Sequence, residues 1–130
     1  MADRCVWTGA SGRQYTFYVY ARHLRIIKGQ MGGYIYAKID QDNTWQPIYI
    51  GQGDIGVRCT QSHHQIECID SKGATHVHLK LTADEHIRKS QERDLLAAYP
   101  QAYVPTVSKG KGRMSSRYIP ASHGRARKAG

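Results

Sequence analysis

The chain has 130 residues, which suits one compact domain, and its formal net charge of +9 is unevenly placed. Residues 104–130 hold seven basic side chains and no acidic one, whereas residues 1–103 hold 12 basic and 10 acidic ones, which argues against a domain whose whole surface binds a polyanion. The chain lacks an apolar run of the roughly 18 residues of a membrane helix, lacks an apolar stretch near its start, and has too few cysteines for a disulfide scaffold, so we expect a cytoplasmic protein that binds no membrane.

The first part of the chain predicts β-structure. The runs 4–8 and 14–21 flank the turn-forming cluster Gly-Ala-Ser-Gly at 9–12, and the second run alternates in the two-residue period of a strand. The basic segment 22–29 that follows fits either a short helix or an irregular link, and its pattern does not choose between them. We expect these N-terminal strands to be additions to the sheet of the domain.

A β-hairpin is predicted next, with strands over 34–39 and 47–51 joined by the polar segment Asp-Gln-Asp-Asn-Thr at 40–44. Each strand has an aliphatic face and a tyrosine face. An in-register pairing therefore places Tyr36 and Tyr49 on the same side of the sheet.

Beyond the hairpin, a helix with Asp54 as its N-cap is predicted to run to about residue 68 and to break near the two histidines at 63 and 64. A further strand is predicted over 75–81, where apolar residues alternate with polar ones. The predicted fold class is α/β in the broad α+β sense, a small, mainly antiparallel sheet flanked by helices.

The last predicted helix starts with a capping box, in which Thr82 is the N-cap and Glu85 lies three residues later, and it ends before Pro100. On this helix Glu92 shares a stripe with Arg88 and with two leucines. Glu92 is therefore either paired with Arg88, one turn back, at the edge of the core, or it is a functional carboxylate. Both interpretations remain open.

Cysteine and histidine residues with the spacing C-x3-H-H-x3-C suggest a zinc site at 59–68. On one helix Cys59 shares a face with His63, and His64 shares another face with Cys68, so one ion could reach either pair but not all four side chains. We therefore assign no zinc site to these residues.

Several motifs, taken in order over residues 32–104, resemble the GIY-YIG nuclease family. They are Gly-Gly-Tyr-Ile-Tyr at 32–36, Tyr-Ile-Gly at 49–51, an arginine on the next helix, a histidine about one turn later, and Glu-Arg-Asp-Leu-Leu at 92–96 followed by a proline. The resemblance implies a domain of GIY-YIG type over residues 1–103. It also implies a metal-dependent endonuclease that hydrolyses phosphodiester bonds of nucleic acid, with DNA as the expected substrate.

The resemblance assigns five residues to the site, four to catalysis and the last to the metal: Tyr36, Tyr49, Arg58, His63 and Glu92. His64 is an alternative to His63, because the interval after the arginine is one residue longer than is usual in the family. Tyr34 stands where the first motif usually has glycine, and Val104 stands where the family usually has asparagine.

These residue types suit phosphodiester hydrolysis, which requires an activated water, a Lewis acid and stabilisation of the phosphoryl charge. Glu92 can hold a hydrated Mg²⁺ or Mn²⁺ ion, and Arg58 can bind a phosphate with two hydrogen bonds. A tyrosine hydroxyl can orient or deprotonate water, and His63 can accept a proton or bind phosphate.

The C-terminal residues 104–130 are predicted to form a flexible basic tail that adds sequence-independent affinity for nucleic acid. We assign this contact to four basic residues: Lys109, Lys111, Arg113 and Arg117. Because the chain is too short for a separate sequence-reading domain, we expect the structure of the substrate or a protein partner to direct cutting. The alternatives are a non-catalytic nucleic-acid-binding module on the same fold, and a protein-interaction domain whose tail only keeps it soluble.

Overall fold

The computed structural model describes residues 3–26, 28–59, 63, 65–102 and 126–127. These residues form a mixed α+β structure, which confirms the broad fold class. The strands are β1 (Asp3–Thr8), β2 (Gln14–Ala21), β3 (Met31–Ile39), β4 (Thr44–Asp54), β5 (His76–Leu81) and β6 (Ala126–Arg127). The helices are α1 (Ile55–Arg58), α2 (Ile66–Ser71), α3 (Glu85–Ala98) and a 3₁₀ turn at Pro100–Ala102. In the described ranges, no helix has the length and apolar character needed to cross a membrane.

The described strands form one sheet in the order β1-β2-β5-β3-β4-β6, and all neighbours are antiparallel. The predicted hairpin is β3–β4, whose turn contains Asn43 at a φ of 67°. The N-terminal hairpin β1–β2 joins the sheet through β5, as an addition to it. Ala126 and Arg127 pair with the start of β4, and the other residues of the predicted tail lie outside the described ones.

The sheet buries a cluster of side chains on each face. One face is covered by α3, and we call it the α3 face. Its core contains Trp7, Phe17, Ile35, Trp45, Ile50 and Leu95, with smaller residues between them. The tyrosine face is partly covered by α1 and α2, and its core contains Tyr34, Tyr36, Ile48, Ile55, Ile69 and Val77. Each strand contributes to both faces because its side chains alternate.

The helix predicted from Asp54 onward, with a break near the two histidines, is two short helices, α1 and α2, which lie on either side of positions 63 and 64. Asp54 does occupy the N-cap position of α1, but its side chain does not cap the helix. Its carboxylate instead accepts a hydrogen bond from the N–H of Gly29 at 2.8 Å. This contact ties the end of β4 to the segment that precedes β3.

The N-cap predicted for α3 was two residues too early. Asp84 is the cap, and its Oδ1 accepts a hydrogen bond from the N–H of Ile87 at 2.9 Å. Thr82 instead continues the pairing with β3, because its N–H donates to the carbonyl of Met31 at 2.9 Å. A tertiary hydrogen bond has displaced the local capping signal.

The basic segment 22–29 contains no helix or strand in its described residues, so it is an irregular link. Arg22 forms an ion pair with Asp70 and donates a hydrogen bond to the carbonyl of Ala74 at 3.3 Å. These contacts hold the link against the connection between α2 and β5, on the tyrosine face of the sheet.

Candidate active site

Strand register brings the tyrosines of β3 and β4 together on one face. Tyr36 lies opposite Tyr49, which confirms that these two side chains share a side, and Tyr34 lies opposite Gly51. A Cβ atom on Gly51 would stand 2.5 Å from the hydroxyl oxygen of Tyr34. Glycine therefore makes room for this ring, which stacks beside that of Tyr49 with centroids 6.1 Å apart and an interplanar angle of 19°.

A chain of hydrogen bonds runs from His63 to Tyr49. The N–H of Gln65 donates to Nδ1 of His63 at 2.9 Å, so the neutral ring carries its proton on Nε2. Nε2 lies 2.8 Å from the hydroxyl of Tyr34 and donates to its oxygen. Tyr34 in turn donates to the hydroxyl of Tyr49. In this tautomer Nε2 of His63 is a donor that orients Tyr34.

The three tyrosines have raised pKa values because they are buried. The pKa of Tyr49 is raised by burial and by the carboxylate of Glu92, and it is lowered by Arg58 and by the hydrogen bond from Tyr34. All three side chains are therefore neutral phenols at neutral pH. Arg58 lowers the pKa of both Tyr34 and Tyr49, but burial raises the pKa of Tyr34 to a greater extent.

Glu92 interacts with this site from the opposite side of the sheet. Glu92 is half-buried on α3, and this helix covers the face of the sheet opposite to the tyrosine face. Burial raises the pKa of Glu92, and Arg58 is the strongest of the cations that lower it. Because Glu92 also raises the pKa of Tyr49, the three side chains interact electrostatically at the edge of the sheet formed by β4.

The structure does not pair Glu92 with Arg88, which corrects one of the two interpretations left open above. Arg88 is buried and donates to Oε1 of Gln52 on β4 at 3.0 Å. It also donates to the carbonyls of Thr82 and Ala83, at 3.3 and 2.7 Å. Arg88 thus fixes the start of α3 against β4, and this anchors the helix turn that carries Glu92.

Tyr36 has different partners from those expected. Its hydroxyl donates to the thiol of Cys59, and the guanidinium of Arg22 lies 5.8 Å from the centre of its ring. Burial raises the pKa of Cys59 to about 12, so the thiol stays protonated. Tyr34, not Tyr36, is the β3 tyrosine that is hydrogen-bonded to Tyr49.

A signal for Tyr34 was present in the sequence. If Tyr36 faces Tyr49 in an antiparallel pair, then the residue two positions earlier in β3 faces the residue two positions later in β4. That partner is Gly51, and a tyrosine opposite a glycine can lay its ring across the vacant position. Because the GIY-YIG family usually has glycine at this position, Tyr34 was not among the residues predicted for the site.

The remaining predicted site residues cannot be compared with the structure. His64, Val104 and the four basic residues of the tail lie outside the described part of the chain: Lys109, Lys111, Arg113 and Arg117. In the described part, no three His, Cys, Asp or Glu side chains form a group that could hold a metal ion.

The chain matches none of the known protein-family models, curated proteins or solved structures with which it was compared. The candidate site therefore rests on interactions within this chain: Tyr34 and Tyr49 stack beside each other, and the exposed Arg58 and the half-buried Glu92 interact electrostatically with Tyr49.

Proposed function

We propose that this protein is a metal-dependent endonuclease with a GIY-YIG-type domain, and that it hydrolyses phosphodiester bonds of nucleic acid, with DNA as its substrate. One observation carries the proposal. The hydrogen-bonded pair of Tyr34 and Tyr49 lies where Arg58 and Glu92 interact electrostatically with Tyr49. This combination can bind a phosphate, orient a water molecule and attract a cation.

Glu92 suits a hard divalent cation such as Mg²⁺ or Mn²⁺. Burial raises its pKa although three cationic side chains lower it, so the negative charge of the carboxylate is incompletely compensated. Mg²⁺ keeps several of its water molecules and needs few protein ligands, so one carboxylate can hold it. Glu92 would bind this ion, which supplies Lewis acidity at a phosphate oxygen.

Arg58 is the side chain that would bind the scissile phosphate. It lies exposed at the end of α1 and affects the pKa values of both Tyr49 and Glu92. A Cβ atom on Gly53 would stand 3.1 Å from Nε of Arg58, so the glycine lets this side chain lie close to β4. A guanidinium can donate two parallel hydrogen bonds to a phosphate and stabilise the charge that develops on it.

Tyr49 is the hydroxyl that would orient the attacking water. His63 fixes Tyr34, and Tyr34 donates to the oxygen of Tyr49, so the chain of hydrogen bonds polarises toward that oxygen. Because the charge on Glu92 raises the pKa of Tyr49, compensation of that charge lowers the pKa of Tyr49. Cation binding at Glu92 and loss of the Tyr49 proton therefore favour each other, and the resulting phenolate could accept a proton from the attacking water.

Nicking of supercoiled plasmid tests the proposal. We expect the wild-type protein to nick it with Mg²⁺ or Mn²⁺ and not with EDTA, and Arg58→Ala to lower the rate by about 10²-fold or more. Arg13→Ala, at an exposed arginine between β1 and β2, is the control and keeps the wild-type rate. Branched DNA and RNA are assayed in parallel. If the folded protein cleaves none of these substrates with metal, the proposal is overturned.

A non-catalytic nucleic-acid-binding module on the same fold is the second candidate. Val104, at the position where the GIY-YIG family usually has asparagine, favours it. Salt-sensitive DNA binding without nicking would support this candidate. The absence of both binding and nicking would instead favour a protein-interaction domain.

A further inference from the structure

Beyond α1 and α2, the tyrosine face forms an open groove over β2 and β5. The groove has a volume of about 670 Å³, and none of the described residues that line it is acidic. Tyr18 and Leu81 lie in it with 47% and 62% of their surface exposed, which is high for large apolar side chains in a sheet. Arg25 supplies positive charge to its wall. We call this feature the β2–β5 groove.

The floor of the β2–β5 groove continues into the candidate active site. Tyr18 lies opposite Leu79 on β5, and Leu79 lies opposite Tyr34 on β3. Tyr18 and Tyr34 thus stand in one row across the sheet, two strand spacings or about 10 Å apart. The next row joins Tyr20 to Tyr36 through β5 in the same way. A ligand bound in the β2–β5 groove would therefore need to extend only a short distance along these rows to reach the candidate active site.

The irregular basic link 22–26 forms the wall between the β2–β5 groove and the candidate active site. Arg25 borders both the β2–β5 groove and a second cavity of about 310 Å³, which Tyr36 and Cys59 line. An exposed aromatic ring flanked by cations is the arrangement on which single-stranded nucleic acids bind, because bases stack on the ring and the cations contact phosphates. The bases of an intact duplex are already stacked on each other, so this surface favours an unpaired strand.

We propose that the β2–β5 groove binds an unpaired strand of nucleic acid next to the cleavage site, with a base stacked on Tyr18 and the backbone held by Arg25. The inference rests on the proposed function for the chemical identity of the polymer. It makes the substrate a nucleic acid with a single-stranded branch or gap, rather than a continuous duplex.

Binding of fluorescently labelled oligothymidylate to the full-length protein in EDTA measures the groove in the absence of cleavage. We expect Tyr18→Ala to weaken binding by about ten-fold or more, through the loss of one stacked base. Tyr18→Phe keeps the ring and is expected to stay within about two-fold of wild type. Because stacking releases few ions, the effect of Tyr18→Ala is the same at low and high salt.

The charged wall is tested by Arg25→Gln, which should weaken binding and lower the dependence of log affinity on log salt by about one. Lys72→Gln is the matched control, because this exposed lysine lies in the turn between α2 and β5 and not in the groove. Labelled oligouridylate is measured in the same way and distinguishes RNA from DNA as the bound strand.

The outcomes separate this inference from the proposed function. A Tyr18→Ala protein that melts like wild type and binds oligothymidylate equally well would overturn the groove assignment, even if plasmid is nicked. So would tighter binding to a blunt duplex than to an unpaired strand of the same length. Weakened binding by Tyr18→Ala in a protein that cleaves nothing would support the groove and overturn the endonuclease proposal.

Discussion

The two faces of the sheet bury their aromatic side chains in different ways. On the α3 face, Trp7 donates its indole N–H to Nδ1 of His78 at 2.9 Å, and Trp45 packs edge-on against the same histidine with ring centroids 4.5 Å apart. The hydrogen bond between Trp7 and His78 joins two polar groups inside a closed core. On the tyrosine face, Tyr34 and Tyr49 are linked through their hydroxyls toward the edge of β4. The first arrangement stabilises the sheet, whereas the second leads from the buried Tyr34 to the partly exposed Tyr49.

Glu92 belongs to the helix of the first face and affects the chemistry of the second. Arg88, one turn earlier on α3, is anchored to Gln52 of β4. The carboxylate of Glu92 is thereby held near the strand edge, where it affects the pKa of Tyr49. A site at a sheet edge can thus draw a charged residue from one face and hydroxyls from the other.

Glu92→Gln should have the largest effect on function. The substitution removes the charge that attracts the metal, so we expect cleavage to fall by about 10³-fold or more. Stability should stay constant or rise, because burial disfavours the charged form of Glu92. Plasmid nicking and thermal melts with and without Mg²⁺ measure both effects.

The control for this variant is Glu85→Gln on the same helix, at an exposed residue whose carboxylate lies 3.0 Å from the Lys89 ammonium. It should keep wild-type cleavage. A Glu92→Gln protein that loses stability but cleaves normally per folded molecule would contradict the metal assignment.

Removing single hydroxyls tests which tyrosines form the site. We expect Tyr49→Phe and Tyr34→Phe to lower cleavage by about 10²-fold, because both belong to the hydrogen-bonded chain. Tyr36→Phe should remain within about three-fold of wild type, since its hydroxyl donates to Cys59 instead. Single-turnover nicking rates provide the comparison. Equal losses for Tyr36→Phe and Tyr34→Phe would restore Tyr36 to the site.

Acidification tests the closed core of the α3 face. Burial, and secondarily His76, lowers the pKa of His78 from 6.5 to about 3. Below pH 6.5 the unfolded chain takes up a proton that the folded protein does not, so stability decreases as pH falls from about 6.5 toward 3. This contribution amounts to roughly 2 kcal/mol between pH 7 and pH 5. Urea unfolding of the wild type and His78→Gln at both pH values isolates it, and parallel pH dependences would refute a neutral buried histidine.

The smallest effect is expected at the link between α3 and the first hairpin. Asp94 accepts hydrogen bonds from the hydroxyls of Ser11 and Tyr15 at 2.7 and 2.8 Å, and from the N–H of Ser11 at 2.9 Å. Asp94→Asn should lower the free energy of unfolding by about 1 kcal/mol, because an amide replaces a charged acceptor. Chemical denaturation measures this loss. The nicking rate of the folded variant should be unchanged, and a large decrease would link this contact to the site.

Much of the secondary structure was encoded in local sequence patterns. Two-residue alternation predicted β2, the hairpin strands and β5, and it placed Tyr36 and Tyr49 on one face. The end of α3 before Pro100 followed from the backbone restriction that proline imposes on the residue before it. These predictions succeeded because they depend on residues that are neighbours in the chain.

Contacts between distant residues decided the rest. Tyr34 and His63 are 29 positions apart, and their hydrogen bond exists because His63 packs over β3 in the tertiary structure. Arg88 donates a hydrogen bond to Gln52, 36 positions away, and does not pair with Glu92, although the helix places Arg88 and Glu92 one turn apart. Local patterns fix which side chains share a face, but the choice of partner depends on which buried polar groups must be satisfied when the elements pack, and only the tertiary structure determines that.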